Sequence, residues 1–230
     1  MKSIKDDRGY NQIWTPNNAT RIRAERRCNY MIAQMNRNGS HAVMEIGCGT
    51  GENAFMLARK TEMQVLGVDL CAPFIEKARS SYRLNNLCYE VRDFNQAAQF
   101  KEEKFDCIVG NGILHHLYHH LDEAFSNMRR LLNDGGRIVF LEPNLYNPYV
   151  YSIFTYPRLR RKAALEPGEM AFSKRFIIQK LERAGFSDIK VEYRDFLLPV
   201  TPDALIQPSI AVGSVVEKSR CSRCFRNLFS

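Results

Sequence analysis

The stretch VMEIGCGTGENA, residues 43–54, decides how the rest of the chain is read. An apolar, strand-like run carries a carboxylate at Glu45, and glycines follow at positions 47, 49 and 51. A glycine-rich turn straight after a strand marks a place where backbone must bend sharply or approach a ligand closely. Phosphate is the commonest such ligand, and two phosphate-binding patterns can be tested. A P-loop needs a lysine after its glycines, and none follows here. The dinucleotide turn G-x-G-x-x-G/A fails from Gly47, where the sixth position is Glu52; it survives in relaxed form from Gly49 to Ala54. Neither pattern accounts for Glu45, because a carboxylate beside the turn repels a pyrophosphate and attracts a cation.

Working outward, the chain alternates short β-rich runs with helical stretches. AVMEI (42–46), MQVLGVD (63–69), LCYEVRD (87–93), FDCIVGN (105–111), GRIVFLE (136–142) and DIKVEYR (188–194) read as strands. Between them, APFIEKARSSYRL places Pro73 in a first helical turn. A second helix carries Leu121, Ala124, Phe125, Met128, Leu131 and Leu132 on one face before Asp134-Gly135-Gly136. A third, SKRFIIQKLERAG, has Ser173 as N-cap and Gly185 as its stop. This alternation predicts an α/β fold, a parallel sheet with helices on both faces, and places ligands beyond the carboxyl ends of the strands. Glu45 to Gly51, Asp69, Asp93, Asn111 and Glu142 all stand at such ends.

S-adenosylmethionine satisfies these constraints: it has no phosphate, carries sulfonium and ammonium cations, and presents ribose hydroxyls. Asp69 is placed to accept from those hydroxyls. Asp93 can accept from an adenine amino group, with Phe94 offering an apolar surface.

The span from about 42 to 142 resembles the class I S-adenosylmethionine-dependent methyltransferases, of the small-molecule group that includes the ubiquinone/menaquinone type. VMEIGCGTG, VLGVDLCAPFIEKAR, VRDF, FDCIVGNGILHHL and RLLNDGGRIVFLEPN carry the resemblance in order. It implies a Rossmann-like fold with a mostly parallel seven-stranded sheet, the last strand antiparallel. Residues 188–194 suit the sixth strand, and either 209–217 or the final CFRNLFS the seventh. It also implies S-adenosylmethionine as cofactor and S-adenosylhomocysteine as product. Gly47, Cys48, Gly49, Thr50 and Gly51 would lie against the cofactor, with Glu45 supporting the loop. Asp69 and Leu70 would hold the ribose, Asp93 and Phe94 the adenine, Asn111 and Gly112 the methionine end.

Methyl transfer needs a base only when the acceptor must lose a proton, and His115 and His116 stand where one could act. HHLYHH (115–120) invites a metal reading, since His115 and His119 would share a helix face. No carboxylate or thiolate completes a set in the sequence, so no metal is expected. A single C-S-R-C at 221–224 supports no zinc site within one chain. N-P-Y at 147–149 follows the fifth strand rather than the fourth and reads as a turn.

The expected organisation is an N-terminal helical lid (1–40) and a methyltransferase domain (41–230) with a substrate-side insertion at 143–172. Tyr10, Trp14, Glu142 and Tyr146 are the candidate acceptor contacts. In the insertion, aromatics meet RLRRK (158–162), which suits a lipid-linked acceptor and peripheral membrane contact. The chain has 230 residues, 45% apolar, with a net charge of +8. That charge permits nucleic-acid binding without requiring it, so RNA or protein methylation is an alternative; a non-catalytic cofactor-binding subunit is another. Seven cysteines, several inside apolar runs, suit a reduced cytoplasmic protein, and no transmembrane segment or secretory signal is visible.

Overall fold

The computed structural model describes residues 17–35, 41–100 and 103–224. They fall into two compact units, one holding residues 31–35 and 41–189, the other 17–30 and 190–224.

In the larger unit, strands β1 (Ala42–Ile46), β2 (Gln64–Asp69), β3 (Leu87–Val91), β4 (Phe105–Asn111) and β5 (Leu132–Leu141) form one parallel sheet in the order β3-β2-β1-β4-β5. β1 and β4 are central and buried almost end to end, which is why their sequences are continuous apolar runs. Helices α2 (Glu52–Lys60), α3 (Ala72–Ser81) and α4 (Leu121–Leu131) make the crossovers. Strand order grows outward through β2 and β3 on one side of β1, then through β4 and β5 on the other. The switch point therefore lies between the carboxyl ends of β1 and β4.

α4 buries Leu121, Ala124, Phe125, Met128 and Leu131, the predicted stripe. Leu132 already belongs to β5, which runs through Gly135 at φ +74°. After β5 come α5 (Pro148–Thr155), α6 (Pro157–Lys162) and α7 (Lys174–Arg183). Ser173 caps α7 by accepting from the Phe176 amide at 3.2 Å, and Gly185 closes it at φ +79°.

The seven-stranded expectation needs correcting, because the described sheet has five strands. Residues 188–194 form none. Asp188 and Asp195 both take positive φ, and the segment is held by side chains instead of a ladder. In the smaller unit the Tyr30 hydroxyl donates to Glu192 at 3.1 Å, and Arg23 and Arg27 of α1 (Asn18–Met35) converge on Asp195. Residues 209–217 lie inside α8 (Asp203–Cys224), despite Pro208 and a valine-rich sequence. Ile206 and Ile210, one turn apart, pack with Leu197, Ala19 and Ile22, so a helical stripe has overridden β propensity. The final CFRNLFS starts at Cys224 and otherwise lies outside the described residues.

Candidate functional site

The turn after β1 holds Gly47, Gly49 and Gly51 at φ +64°, +54° and +88°. All three need glycine's left-handed freedom, but what surrounds them differs. A Cβ on Gly47 would meet Ile113 Cδ1 at 2.4 Å, and one on Gly51 would meet both Ala78 Cβ and the Tyr89 hydroxyl at 2.7 Å. These two glycines let the turn pack against the protein itself. A Cβ on Gly49 would meet nothing within 4 Å, so here alone in the turn the backbone faces open space. The Tyr89 hydroxyl donates to the Gly51 carbonyl at 2.7 Å, and the Cys48 amide donates to Val68 O at 3.0 Å, tying the turn to β3 and β2. The Thr50 hydroxyl donates to the Glu52 carboxylate at 2.7 Å.

Glu45 is 2% exposed. The Asn53 side-chain amide donates to its Oε1 at 2.7 Å, while Oε2 has no hydrogen-bond partner among the described residues. Burial pushes this carboxyl up to about 8, against the Asn53 bond, and the charges of Glu52 and Asp69 add to the rise. Burial likewise holds the Cys48 thiol well above its ordinary range, with Glu45 and Asp69 adding to the effect. The turn thus sits in a field of carboxylates that suits a cation.

At the end of β2, Asp69 accepts from the Gly49 amide at 2.8 Å and from the Cys71 amide at 2.9 Å. It therefore fixes the shape of the glycine turn. Leu70 beside it is half-buried. Asp93 accepts from the Asn95 amide at 2.9 Å and from the Gln96 side chain at 3.1 Å, capping the turn after β3. The Phe94 ring is buried in the core, edge-on to Phe100 at 6.0 Å, so it offers less surface to a ligand than its sequence position suggests.

Across the switch point, Gly112 takes φ +73° and Asn111 ends β4 half-buried. A short 3-10 helix, Leu114–His120, follows. Glu142, just past β5, accepts from the Ile113 amide at 2.9 Å, the Leu114 amide at 2.7 Å and His115 Nδ1 at 2.9 Å. The carboxylate proposed from sequence as an acceptor contact is thus the clamp that caps this helix and orients His115. His116 Nδ1 lies 3.0 Å from Glu169 Oε1, and His115 Nε2 lies 4.0 Å from Glu169 Oε2. Desolvation opposes protonation of His116, but Glu169 outweighs it and raises the imidazole, while the two histidines hold Glu169 below its usual range.

Sequence reasoning missed Glu169 and Asn53. Glu169 sits in a loop without a recognisable motif, and Asn53, next to Glu52 at the start of α2, carried no distinguishing mark. His119, paired on paper with His115, is exposed and packs edge-on to Tyr118. Asn147 caps α5, its side chain accepting from the Tyr149 and Val150 amides, so N-P-Y, expected as a turn, is the start of a helix. Tyr146 is 65% exposed. Tyr10 and Trp14 lie outside the described residues.

Residues 43–136 match a family model described as a methyltransferase domain. The Mus musculus protein named "Probable tRNA methyltransferase 9B" is 32% identical over 99 residues, covering 42% of this chain and 20% of that protein. The chain spans between 3% and 55% of the length of the curated relatives it matches. A chain from the complex between the Haloferax volcanii Trm112 methyltransferase activator and a methyltransferase superposes with a TM-score of 0.65 at 15% identity, covering 80% of this chain and 78% of that one. Haemonchus contortus phosphoethanolamine N-methyltransferase 2, in complex with S-adenosyl-L-methionine, gives 0.57 at 20% identity over 88% of this chain and 45% of that one. The fold is the Rossmann-like methyltransferase fold.

Proposed function

We propose that the chain is an S-adenosylmethionine-dependent methyltransferase acting on a small-molecule or lipid-linked acceptor. One observation carries this reading: buried Glu45, with an oxygen lacking a hydrogen-bond partner, stands at the base of a turn whose central glycine faces open space. A half-satisfied buried carboxylate is costly, and a cationic ligand that uses it offsets that cost. The matching methyltransferase-domain model supports the same conclusion.

Gly47, Cys48, Gly49, Thr50 and Gly51 form the turn against which the cofactor rests, and Glu45 supplies charge toward its ammonium group. Asp69 and Leu70 form the ribose edge, the Asp93–Phe94 turn the adenine edge, and Asn111 with Gly112 the methionine end. When bound, S-adenosylmethionine supplies an electrophilic methyl group on sulfur. The protein's work is then to align the acceptor and exclude water. His115 and His116 lie on the acceptor side, and Glu142 orients His115 through its Nδ1.

The acceptor class is supported by α5 and α6. Phe154 packs edge-on to His115 at 6.1 Å, joining this segment to the histidines. Tyr149, Tyr151, Tyr156 and Leu159 are exposed beside Arg158, Arg161 and Lys162, a surface suited to lipid tails and anionic headgroups. No helix among the described residues is long and apolar enough to cross a membrane. An RNA acceptor, suggested by the mouse relative's name, draws less support, because Arg23 and Arg27 are spent on Asp195. Cys28, Cys48, Cys71, Cys88 and Cys107 are joined in no disulfide among the described residues, which supports a reducing cytoplasmic location.

Titration calorimetry with S-adenosylhomocysteine, NAD and ATP tests the cofactor, with one-to-one binding of S-adenosylhomocysteine alone expected. Preferential binding of either nucleotide overturns the reading. Cofactor binding without turnover on any acceptor from metabolite and lipid extracts selects the non-catalytic subunit instead.

A further inference from the structure

We propose that His115, His116 and Glu169 bind a divalent first-row transition-metal ion. The methyltransferase reading bears on what that ion does, but its binding is argued from the donor atoms alone. One ligand atom from each side chain lies within 4.8 Å of the others. Around a tetrahedral ion with bonds of roughly 2.0–2.1 Å, neighbouring ligands stand about 3.4 Å apart, so modest side-chain rotation closes the set.

Two features distinguish this cluster from a solvated group of polar residues. Glu169 is 4% exposed, and both its oxygens face imidazole nitrogens, Oε1 at 3.0 Å from His116 Nδ1 and Oε2 at 4.0 Å from His115 Nε2. Glu142 orients His115: the carboxylate accepts from Nδ1–H at 2.9 Å, which turns Nε2 toward Glu169 at 4.0 Å. Carboxylate, imidazole and metal in series is the arrangement by which metal-bound histidines are usually oriented.

The backbone around Glu169 is also anchored. The Met170 amide donates to His115 O at 3.3 Å, and the Arg160 guanidinium donates to Glu169 O at 3.1 Å and to Glu166 O at 2.7 Å. The His116 side chain, 27% exposed, opens a path from solvent. Two imidazoles and a carboxylate without thiolate suit zinc, iron, cobalt or manganese better than calcium. Three protein ligands leave a position for the acceptor, where the ion acidifies a hydroxyl whose proton leaves to water.

The test uses the full chain stripped with EDTA. Zn2+ is titrated by calorimetry and Co2+ followed by visible absorption, in protein carrying C221S and C224S. One site is expected, with cobalt bands lacking thiolate charge transfer and with a raised Tm. E169Q and H116Q should each weaken Zn2+ at least about 100-fold while S-adenosylhomocysteine affinity is retained. If E169Q fails to fold, H116Q and H115Q carry the test. Three outcomes overturn the proposal: no binding at millimolar metal, a thiolate-type cobalt spectrum, or binding that survives the H116Q/E169Q double change. Because S-adenosylhomocysteine binding is read in parallel, such a failure is distinct from failure of the cofactor assignment.

Discussion

The Asn53 side-chain amide donates to Glu45 Oε1 at 2.7 Å, joining the first turn of α2 to β1 across the glycine turn. This bond holds one oxygen of a buried acid and leaves the other without a hydrogen-bond partner. The glycine turn is thus built around an electrostatic deficit, and the pH behaviour of the protein should reveal it.

Glu45 titrates at about 8 when folded, against an ordinary value of 4.5. The folded state therefore holds this proton more tightly, and its contribution to stability is lost as pH rises from about 4.5 through 8. Glu45→Gln should raise Tm at pH 8 and flatten the decline of Tm over that window. The same change should weaken S-adenosylhomocysteine, whereas wild-type affinity should strengthen toward pH 8 as Glu45 ionises. Parallel Tm-versus-pH curves for the two proteins would count against the buried-acid assignment.

Gly51 and Gly49 should separate packing from ligand binding. Gly51→Ala drives a Cβ into Ala78 and Tyr89 and should cost roughly 2–4 kcal/mol in urea unfolding. Gly49→Ala meets open space and should cost about 1–2 kcal/mol from backbone strain alone. Calorimetry should nonetheless show Gly49→Ala losing S-adenosylhomocysteine. Equal unfolding costs for the two would contradict the different surroundings of these glycines.

Asp69 holds the turn through the Gly49 and Cys71 amides. Asp69→Ala should weaken S-adenosylhomocysteine by about tenfold or more, charge-assisted hydrogen bonds being worth roughly 1.5–3 kcal/mol each. Wild-type affinity in that variant would remove Asp69 from the site.

Arg160 belongs to the basic run RLRRK yet acts internally, donating to the carbonyls of Phe154, Glu166 and Glu169. Arg160→Ala should lower stability by roughly 2 kcal/mol, and Arg160→Lys should not restore it, because an ammonium cannot span that fork. Arg158→Ala and Arg161→Ala, on exposed positions, should leave Tm unchanged but weaken sedimentation with anionic vesicles. A reversal of these effects between Arg160 and its neighbours would refute the division.

Local rules carried the sheet. AVMEI and FDCIVGN read as strands because buried parallel strands must be apolar throughout, and both runs coincide with β1 and β4. The glycine turn and the carboxylates beyond the strands were legible for the same reason: strand ends and left-handed turns leave short-range marks. The C-terminal third left none that sufficed. VGSVV favours a strand by propensity, but contacts of Ile206 and Ile210 with residues far away in sequence make it a helix.

What the amino-acid sequence by itself determined, then, is the α/β alternation, the glycine turn after β1 and the carboxylates at the strand ends. All are set by residue periodicity, backbone freedom and Coulomb's law within a few neighbours. Only the tertiary structure decided that Glu142 orients His115, that Glu169 lies against His116, and that Gly47 and Gly51 serve packing while Gly49 faces open space. Those relationships depend on which surfaces meet once the sheet has closed, and no local pattern encodes that.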